Sequence, residues 1–307
     1  MAPERPDRRL LLLGRTGQVG HELETALAPL GQVIALDRTD ADLSDPESLR
    51  AVVRTHRPHA IVNAAAYTSV DRAESESDLA MSINGVAPGV LAEEARDVDA
   101  CLVHYSTDYV FDGRKEGPYH EQDTPNPLSS YGDSKLAGER AVVAAGGRHL
   151  ILRTCWVVGA HGINFLKTIL RLAAERDTLR VVADQQGTPT TAALIAEATA
   201  TTLKSMLTAP VQDRRWGLYH VAASGATTWH GYARYLIARA HEIGMPLRAT
   251  PEGVTAITTA DYPTPAARPG NSRLETTRLR ATFPVQLPDW RQGVDQVLEQ
   301  LMAGHRP

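Results

Sequence analysis

Hydrophobic and polar positions follow two rhythms in the first half of this chain. Leu10 to Leu13 form an unbroken apolar run, the pattern of a parallel strand buried on both faces. Comparable runs predict strands over residues 9–13, 32–36, 60–63, 100–105 and 150–154. Between them, apolar residues recur at helical spacing near 18–30, 46–55, 83–96 and 131–145. Strands that alternate with helices predict an α/β fold built on a doubly wound parallel sheet. The second half is less regular. It predicts helices over 165–176, 191–207 and 229–243, the last capped by Thr228, and short strands over 180–182 and 217–222. Residues 159–164 read as a loop. The stretch DYPTPAARPGNSRLETTRLR reads as an ordered loop anchored by Leu274 and Leu279. A smaller mixed α/β substrate-binding lobe is therefore expected over 156–307, with some segments returning to a first domain of 1–155.

Composition narrows the partners rather than the fold. The 307 residues are 43% hydrophobic and 22% charged, as in ordinary globular proteins, and suffice for a large core. A net charge of −4 gives no general attraction to nucleic acid or to an anionic membrane, so any anion must be held locally. No apolar run reaches membrane-spanning length, and the leucines after the N-terminal arginines are too few for a signal peptide. Cys101 and Cys155 lie far apart in apolar stretches, which suits buried thiols in a reducing cytoplasm. The histidines show no His-x3-His spacing, the cysteines no paired spacing for zinc, and the chain has no Gly-x-Ser-x-Gly elbow. His104, within VHYS, reads as a core residue.

The first strand runs into Gly14, Gly17 and Gly20, in the order G-x-x-G-x-x-G. Glycines here allow a tight turn and close approach of a ligand to the backbone. The helix that follows aims its N-terminal N–H groups at that ligand, which favours a pyrophosphate. The Gly-Lys-Ser/Thr ending of a P-loop is missing, so nucleotide hydrolysis is not favoured. A ligand-free glycine turn is the plain alternative. Asp37 follows the second strand, twenty residues after Gly17, where a carboxylate accepts hydrogen bonds from an adenosine ribose. Arg38 stands ready to neutralise a 2′-phosphate. Asp37 points to NADH and Arg38 to NADPH, and both stay open. Asp42 and Leu43 are placed to flank the adenine, although Asp42 reads equally well as a residue at a helix N-terminus. The run Asn63-Ala-Ala-Ala leaves a strand end without bulk, room for a flat cofactor or for tight packing.

Tyr131 and Lys135 lie four residues apart at the start of a helix, on one face. A nearby ammonium lowers the pKa of a phenol, so the pair reads as a tuned proton donor. Beside a nicotinamide it would protonate the alkoxide formed when hydride reaches a carbonyl carbon. A hydroxyl from Thr107 or Ser106 would orient the same oxygen; capping of the strand end is the alternative for both. Asn84 reads as a helix cap, or as a residue holding a water on a proton relay.

The glycine pattern, Tyr-x3-Lys and the preceding Ser/Thr resemble the extended short-chain dehydrogenase/reductase superfamily, whose dinucleotide domain is Rossmann-type. Within it, GRTGQVG, IVNAAAYTSVDRAES, VHYSTDYVFDG, YGDSKLAGE, LRTCWVVG, DQQGTPT, GLYHVAASGATTWHGYA and YPTPAARPGNSRLET resemble the RmlD-type family across nearly the whole chain. That resemblance implies reduction of the 4-keto group of a dTDP-linked 4-keto-6-deoxyhexose with NADPH or NADH. It implies that Gly17, Gln18 and Val19 touch the pyrophosphate, that Asp37, Asp42 and Leu43 surround the adenosine, and that Ala66, Tyr67 and Thr68 line the cofactor. Thr107 and Asp108 would contact the sugar, Trp156 would pack on it (or serve as a core aromatic), and Arg268 and Asn271 would reach the nucleotide diphosphate. Some relatives join into dimers through a metal held by glutamates. Glu22 matches one such position, but Ala193 stands where a second acid is expected, so no metal is expected and the chain is a monomer or a homodimer. Three related readings compete. Antibiotic-pathway 4-ketoreductases share this scaffold and take another hexose, a 4,6-dehydratase would carry Glu where this chain has Tyr109, and a similar fold serves as an NADP-binding regulatory subunit of methionine adenosyltransferase.

Overall fold

The structure is a computed structural model that describes residues 7–303. The residues before Asp7, which open the segment too short for a signal peptide, lie outside the described residues. The first half runs β1 (Arg9–Leu13), α1 (Gln18–Leu27), β2 (Gln32–Leu36), α2 (Pro46–His56), β3 (Ala60–Asn63), α3 (Ser77–Met81), α4 (Ala87–Asp97), β4 (Cys101–Thr107), α5 (Ser130–Ala144) and β5 (Arg148–Thr154). The second half runs β6 (Val157–Val158), α6 (Phe165–Glu175), β7 (Leu179–Val182), β8 (Gln186–Gly187), β9 (Thr190–Thr191), α7 (Ala192–Met206), β10 (Gly217–His220), β11 (Thr227–Thr228), α8 (Trp229–Glu242), β12 (Val254–Ile257), α9 (Thr277–Thr282) and α10 (Trp290–Ala303).

Six strands form the main sheet in the order β10-β5-β4-β3-β1-β2, and every pair is parallel. Strand residues alternate between two cores. Leu10, Leu12, Val62, Val103 and Leu152 face one, together with residues of α1, α6, α7, α8 and α10. Leu11, Leu13, Ile61, Leu102 and Ile151 face the other, with α2, α4 and Val142 of α5. Both faces are covered, as the unbroken apolar runs require. The order reverses between β1 and β3, and the crevice beyond the strand ends at such a switch point is where ligands bind in these sheets. The last sheet strand, β10, comes from the second half of the chain and pairs with β5. A third, smaller cluster joins Phe111, Tyr119, Leu136, Cys155, Ala222 and Leu274 beneath the loops of the second half.

The predicted strands and helices of the first half stand where the periodicity put them, with one difference. The single helix expected over 83–96 is broken into α3, a π turn at Ser82–Val86 and α4. The π turn carries Asn84, which is buried, and α5 packs directly on it. Gly138 of α5 permits that approach, because a Cβ there would collide with Asn84 O. The pairs β6–β9, β8–β11 and β7–β12 were not predicted individually; the first two have only two residues of ladder, and the four-residue β7–β12 ladder joins segments more than seventy residues apart. Leu274 and Leu279 are buried, as expected of anchors.

Gly138→Ala should therefore destabilise the fold by about 1–3 kcal/mol, the usual cost of overpacking. The urea midpoint measures it. Gly117→Ala, where an added Cβ meets nothing within 4 Å, should leave that midpoint in place.

Candidate functional site

The loops after β1, β3, β4 and β5 all open at the carboxyl edge of the sheet, and they bring most of the predicted residues together. Gly14 has φ +85°, and a Cβ there would lie 2.6 Å from Ala65 N, so the glycine turn sits against the loop that follows β3. A Cβ on Gly20 would collide with Gly14 O. On Gly17 it would approach only Gly14 O, at 3.3 Å, which leaves the outer side of the turn open. Gly17 is also the N-cap of α1, with no side-chain cap and no acid in the first turn. The helix end thus keeps unpaired N–H groups and its positive dipole end facing the crevice. This cradle fits a dinucleotide pyrophosphate, with Gln18 and Val19 on the first turn.

Asp37 follows β2 and is partly buried. Its Oδ1 accepts from Thr39 N at 2.8 Å and from Thr39 Oγ1 at 2.6 Å, and these bonds hold the carboxyl below its usual range. Arg38 Nε lies 3.4 Å from Asp42 Oδ2, while Asp42 Oδ1 accepts from Ser44 N and Oγ. The helix N-cap there is Asp45 rather than Asp42. Leu43 is buried in the second core.

Beyond β3, Ala64, Ala65 and Ala66 are partly buried and Thr68 is exposed. Asn84 is not a helix cap. Its Oδ1 accepts from Tyr67 N, and its Nδ2 donates to Tyr67 O, both at 2.9 Å. The same Nδ2 donates to Ser134 Oγ at 3.1 Å, and Ser134 Oγ donates to Tyr131 O at 2.8 Å. One amide side chain therefore joins the expected cofactor loop to the helix of Tyr131. Its burial rules out the cap reading, since a mid-helix amide must find partners elsewhere.

Ser129 caps α5 by accepting from Gly132 N, which starts the helix just before Tyr131. Thr107 lies beside the Tyr131 phenol, its Oγ1 donates to Asp108 Oδ1 at 3.2 Å, and the phenol ring meets that of Tyr109 edge-on at 5.4 Å. Burial pushes the phenol up to about 12, Thr107 lowers it in part, and the Asp108 carboxyl raises it. The sequence reading expected an ammonium to depress it. Instead Lys135 Nζ donates to Tyr105 O at 2.6 Å, and burial brings the lysine down to about 8. Desolvation outweighs the charge pairing. Of the two candidate hydroxyls, Thr107 is the one at the phenol. Ser106 is buried and donates to Glu139 Oε1 at 2.5 Å.

Asp108 is buried beside Thr107. Burial pushes its carboxyl up to about 7, against lowering hydrogen bonds from Ser272 and Thr107, and its Oδ2 has no partner. An unsatisfied buried oxygen next to the phenol fits a group that meets a polar substrate. Trp156 takes φ +44°, a left-handed conformation costly for a non-glycine residue. Its indole stacks on Trp229 at 3.6 Å with 13° between the planes, and Gly187 has no side chain because a Cβ would collide with that indole. Trp229 Nε1 donates to Gln185 Oε1. Arg268 makes a two-pronged ion pair with Asp71, at 2.6 and 2.7 Å. Asn271 Nδ2 donates to Lys115 O and Gly117 O. Both residues thus tie the proline-rich loop to its neighbours.

Sequence reasoning missed the group beneath the site. Glu139 accepts from Arg153 Nε at 2.7 Å and Nη2 at 2.6 Å, and all three of Ser106, Glu139 and Arg153 are buried. Glu139 follows Lys135 at four-residue spacing on the same helix face, a signal that was available. Trp229, Ser272 and Asp71 carried no such local signal. His104 is buried beside Asn63, as a core residue, and both cysteines are buried and free. The metal bridge that relatives build from glutamates of two chains lacks its second carboxylate here, because position 193 on α7, which packs on α1, is alanine.

A six-stranded parallel sheet, a glycine cradle and a phenol, hydroxyl and lysine at its carboxyl edge define a Rossmann-type oxidoreductase site. The RmlD substrate binding domain family matches residues 8–303. The dTDP-4-dehydrorhamnose reductase of Escherichia coli strain K12 is 48% identical over 96% of this chain and 98% of its own. That of Burkholderia thailandensis is 46% identical over 96% and 99%. The crystal structure of dTDP-4-dehydrorhamnose reductase from Bacillus anthracis in complex with NADP superposes with TM-score 0.84 at 34% identity, covering 96% and 99% of the two chains. The chain belongs to the RmlD family of the extended short-chain dehydrogenases/reductases.

The Asp108 carboxyl yields a pH test. A folded-state pKa of about 7, above the unfolded 3.8, contributes stability that is lost as pH rises through that window. Asp108→Asn should melt near the parent at pH 4, and above it by a margin that grows up to pH 8. A constant offset across that range, followed by thermal melting, would remove the assignment.

Proposed function

We propose that the chain reduces the 4-keto group of a dTDP-4-dehydro-6-deoxyhexose, converting dTDP-4-dehydro-L-rhamnose to dTDP-L-rhamnose with NADPH, and with NADH as a second donor. The observation that carries it is the grouping at the carboxyl edge of the sheet, with Thr107 beside the Tyr131 phenol and Lys135 one turn along α5. When bound, the nicotinamide supplies hydride to the carbonyl carbon. Tyr131 gives its proton to the carbonyl oxygen as negative charge grows there. A phenol held at about 12 stays protonated through the neutral range and so stands ready as the acid for reduction. Thr107 orients the oxygen, and its donor is fixed before the charge appears. Lys135 supports the phenolate that remains. Gly14, Gly17, Gln18 and Val19 would hold the pyrophosphate, Asp37, Arg38, Asp42 and Leu43 the adenosine, and Ala66, Tyr67 and Thr68 the stretch between. Asp108 and Trp156 would bind the sugar, Arg268 and Asn271 the diphosphate end. In this reading residues 1–155 bind the dinucleotide and 156–307 mainly the substrate. We place the reaction in the cytoplasm; the two buried, free thiols fit a reducing compartment.

Mixing the protein with NADPH and dTDP-4-dehydro-L-rhamnose should consume the reduced cofactor and yield dTDP-L-rhamnose. Sugar turnover without net cofactor oxidation would indicate a dehydratase, and cofactor binding without turnover a regulatory subunit. Tyr131→Phe should cut kcat by about 10²–10⁴ while leaving the Kd for NADPH within about twofold. Near-parental turnover would end the proton-donor role. Asp37→Ala should weaken NADH more than NADPH in a fluorescence titration, whereas equal losses would exclude a ribose contact.

A further inference from the structure

His21 and Glu22 lie on the first turns of α1, and His161 lies in the loop between β6 and α6. The three side chains place one ligand atom each within 4.8 Å of the others. The two imidazole rings are 3.5 Å apart, centroid to centroid. None of the three side chains makes a hydrogen bond or ion pair elsewhere among the described residues. The loop is also held in place to present His161. Asn164 Nδ2 donates to Gln18 Oε1 and to Gly159 O, both at 2.8 Å, and Gly162 takes φ +68° against the Gln18 side chain. Residues 21, 22 and 161 are distant in sequence, which is why no spacing pattern announced them.

We propose that His21, Glu22 and His161 form a binding site, within one chain, for a divalent transition-metal ion of the zinc type. Two imidazole nitrogens and one carboxylate oxygen suit zinc, cobalt or nickel, whereas magnesium and calcium take oxygen ligands. Ligand atoms around a tetrahedral zinc ion, at about 2.0–2.2 Å from it, sit about 3.3 Å apart. Both histidines are exposed, so rotation of their side chains can close the remaining gap. Three protein ligands leave a fourth position for water. The ion would fasten the 159–164 loop to α1, one turn beyond Gln18. The proposal stands on this cluster alone and is independent of the reductase reading.

The test is calorimetric titration of the untagged full-length chain with ZnCl2, followed by titration with CoCl2 read as visible absorbance. The expected result is one ion per chain, a cobalt band of tetrahedral intensity, and no heat with MgCl2. His161→Ala and His21→Ala should each weaken zinc at least 30-fold, while His120→Ala, an exposed histidine outside the cluster, should change it less than twofold. Circular dichroism confirms that each variant is folded. Binding that survives His161→Ala, binding of one ion per two chains, or no binding at 1 mM zinc would each overturn the site.

Discussion

One buried ion pair holds the parts of this site in register. Arg153 on β5 grips Glu139 on α5 with two hydrogen bonds, and Ser106 on β4 adds a third to the same carboxylate. Three adjacent elements of the sheet and its covering helix meet at that one group. Glu139 lies one turn from Lys135 and two from Tyr131, and Ser106 immediately precedes Thr107. The phenol and the hydroxyl beside it therefore share a common anchor. Desolvating such charges costs free energy, and the pair is sustained only because both are closely matched. Removing one partner would leave the other charged and buried, so the cost of a change here falls on the geometry above it.

A second brace works from the opposite side. Asn84 holds the backbone of Tyr67 in both directions and reaches α5 through Ser134. It does so from a π turn, where the helix widens and its side chain is turned inward. Gly14 sets the glycine turn against the same loop after β3. The cradle, the loop and the helix of Tyr131 thus form a continuous chain of contacts along the carboxyl edge. The electrostatics follow from this close packing. Burial, more than any neighbouring charge, pushes Tyr131 and Asp108 up and Lys135 down. All three shifts disfavour charge, which is the state a dry pocket imposes.

How much of this was legible in the sequence depends on range. The sheet was readable because leucine and valine runs such as Leu10–Leu13 need cover on both faces. The cradle was readable because three glycines and a following amphipathic helix are contiguous. Tyr131 and Lys135 were readable through their spacing, yet their protonation was not: the sequence shows who the neighbours are along the helix, not how much water is excluded. Asn84 was misread because a π turn leaves no distinctive residue pattern. The left-handed Trp156, its stacking partner Trp229 and the Arg268–Asp71 pair all join segments distant in the chain. Such pairings emerge only when the second half folds over the first.

The central claim is that the glycine cradle and the Tyr131–Thr107 couple form one track for a single dinucleotide. A crystal structure of the chain with NADPH tests it most directly. The account predicts the pyrophosphate on Gly17 and the first turn of α1, with the nicotinamide ring beside the Tyr131 phenol and its ribose within reach of Lys135. A ring pointing away from Tyr131, or a pyrophosphate bound elsewhere than at Gly17, would contradict it.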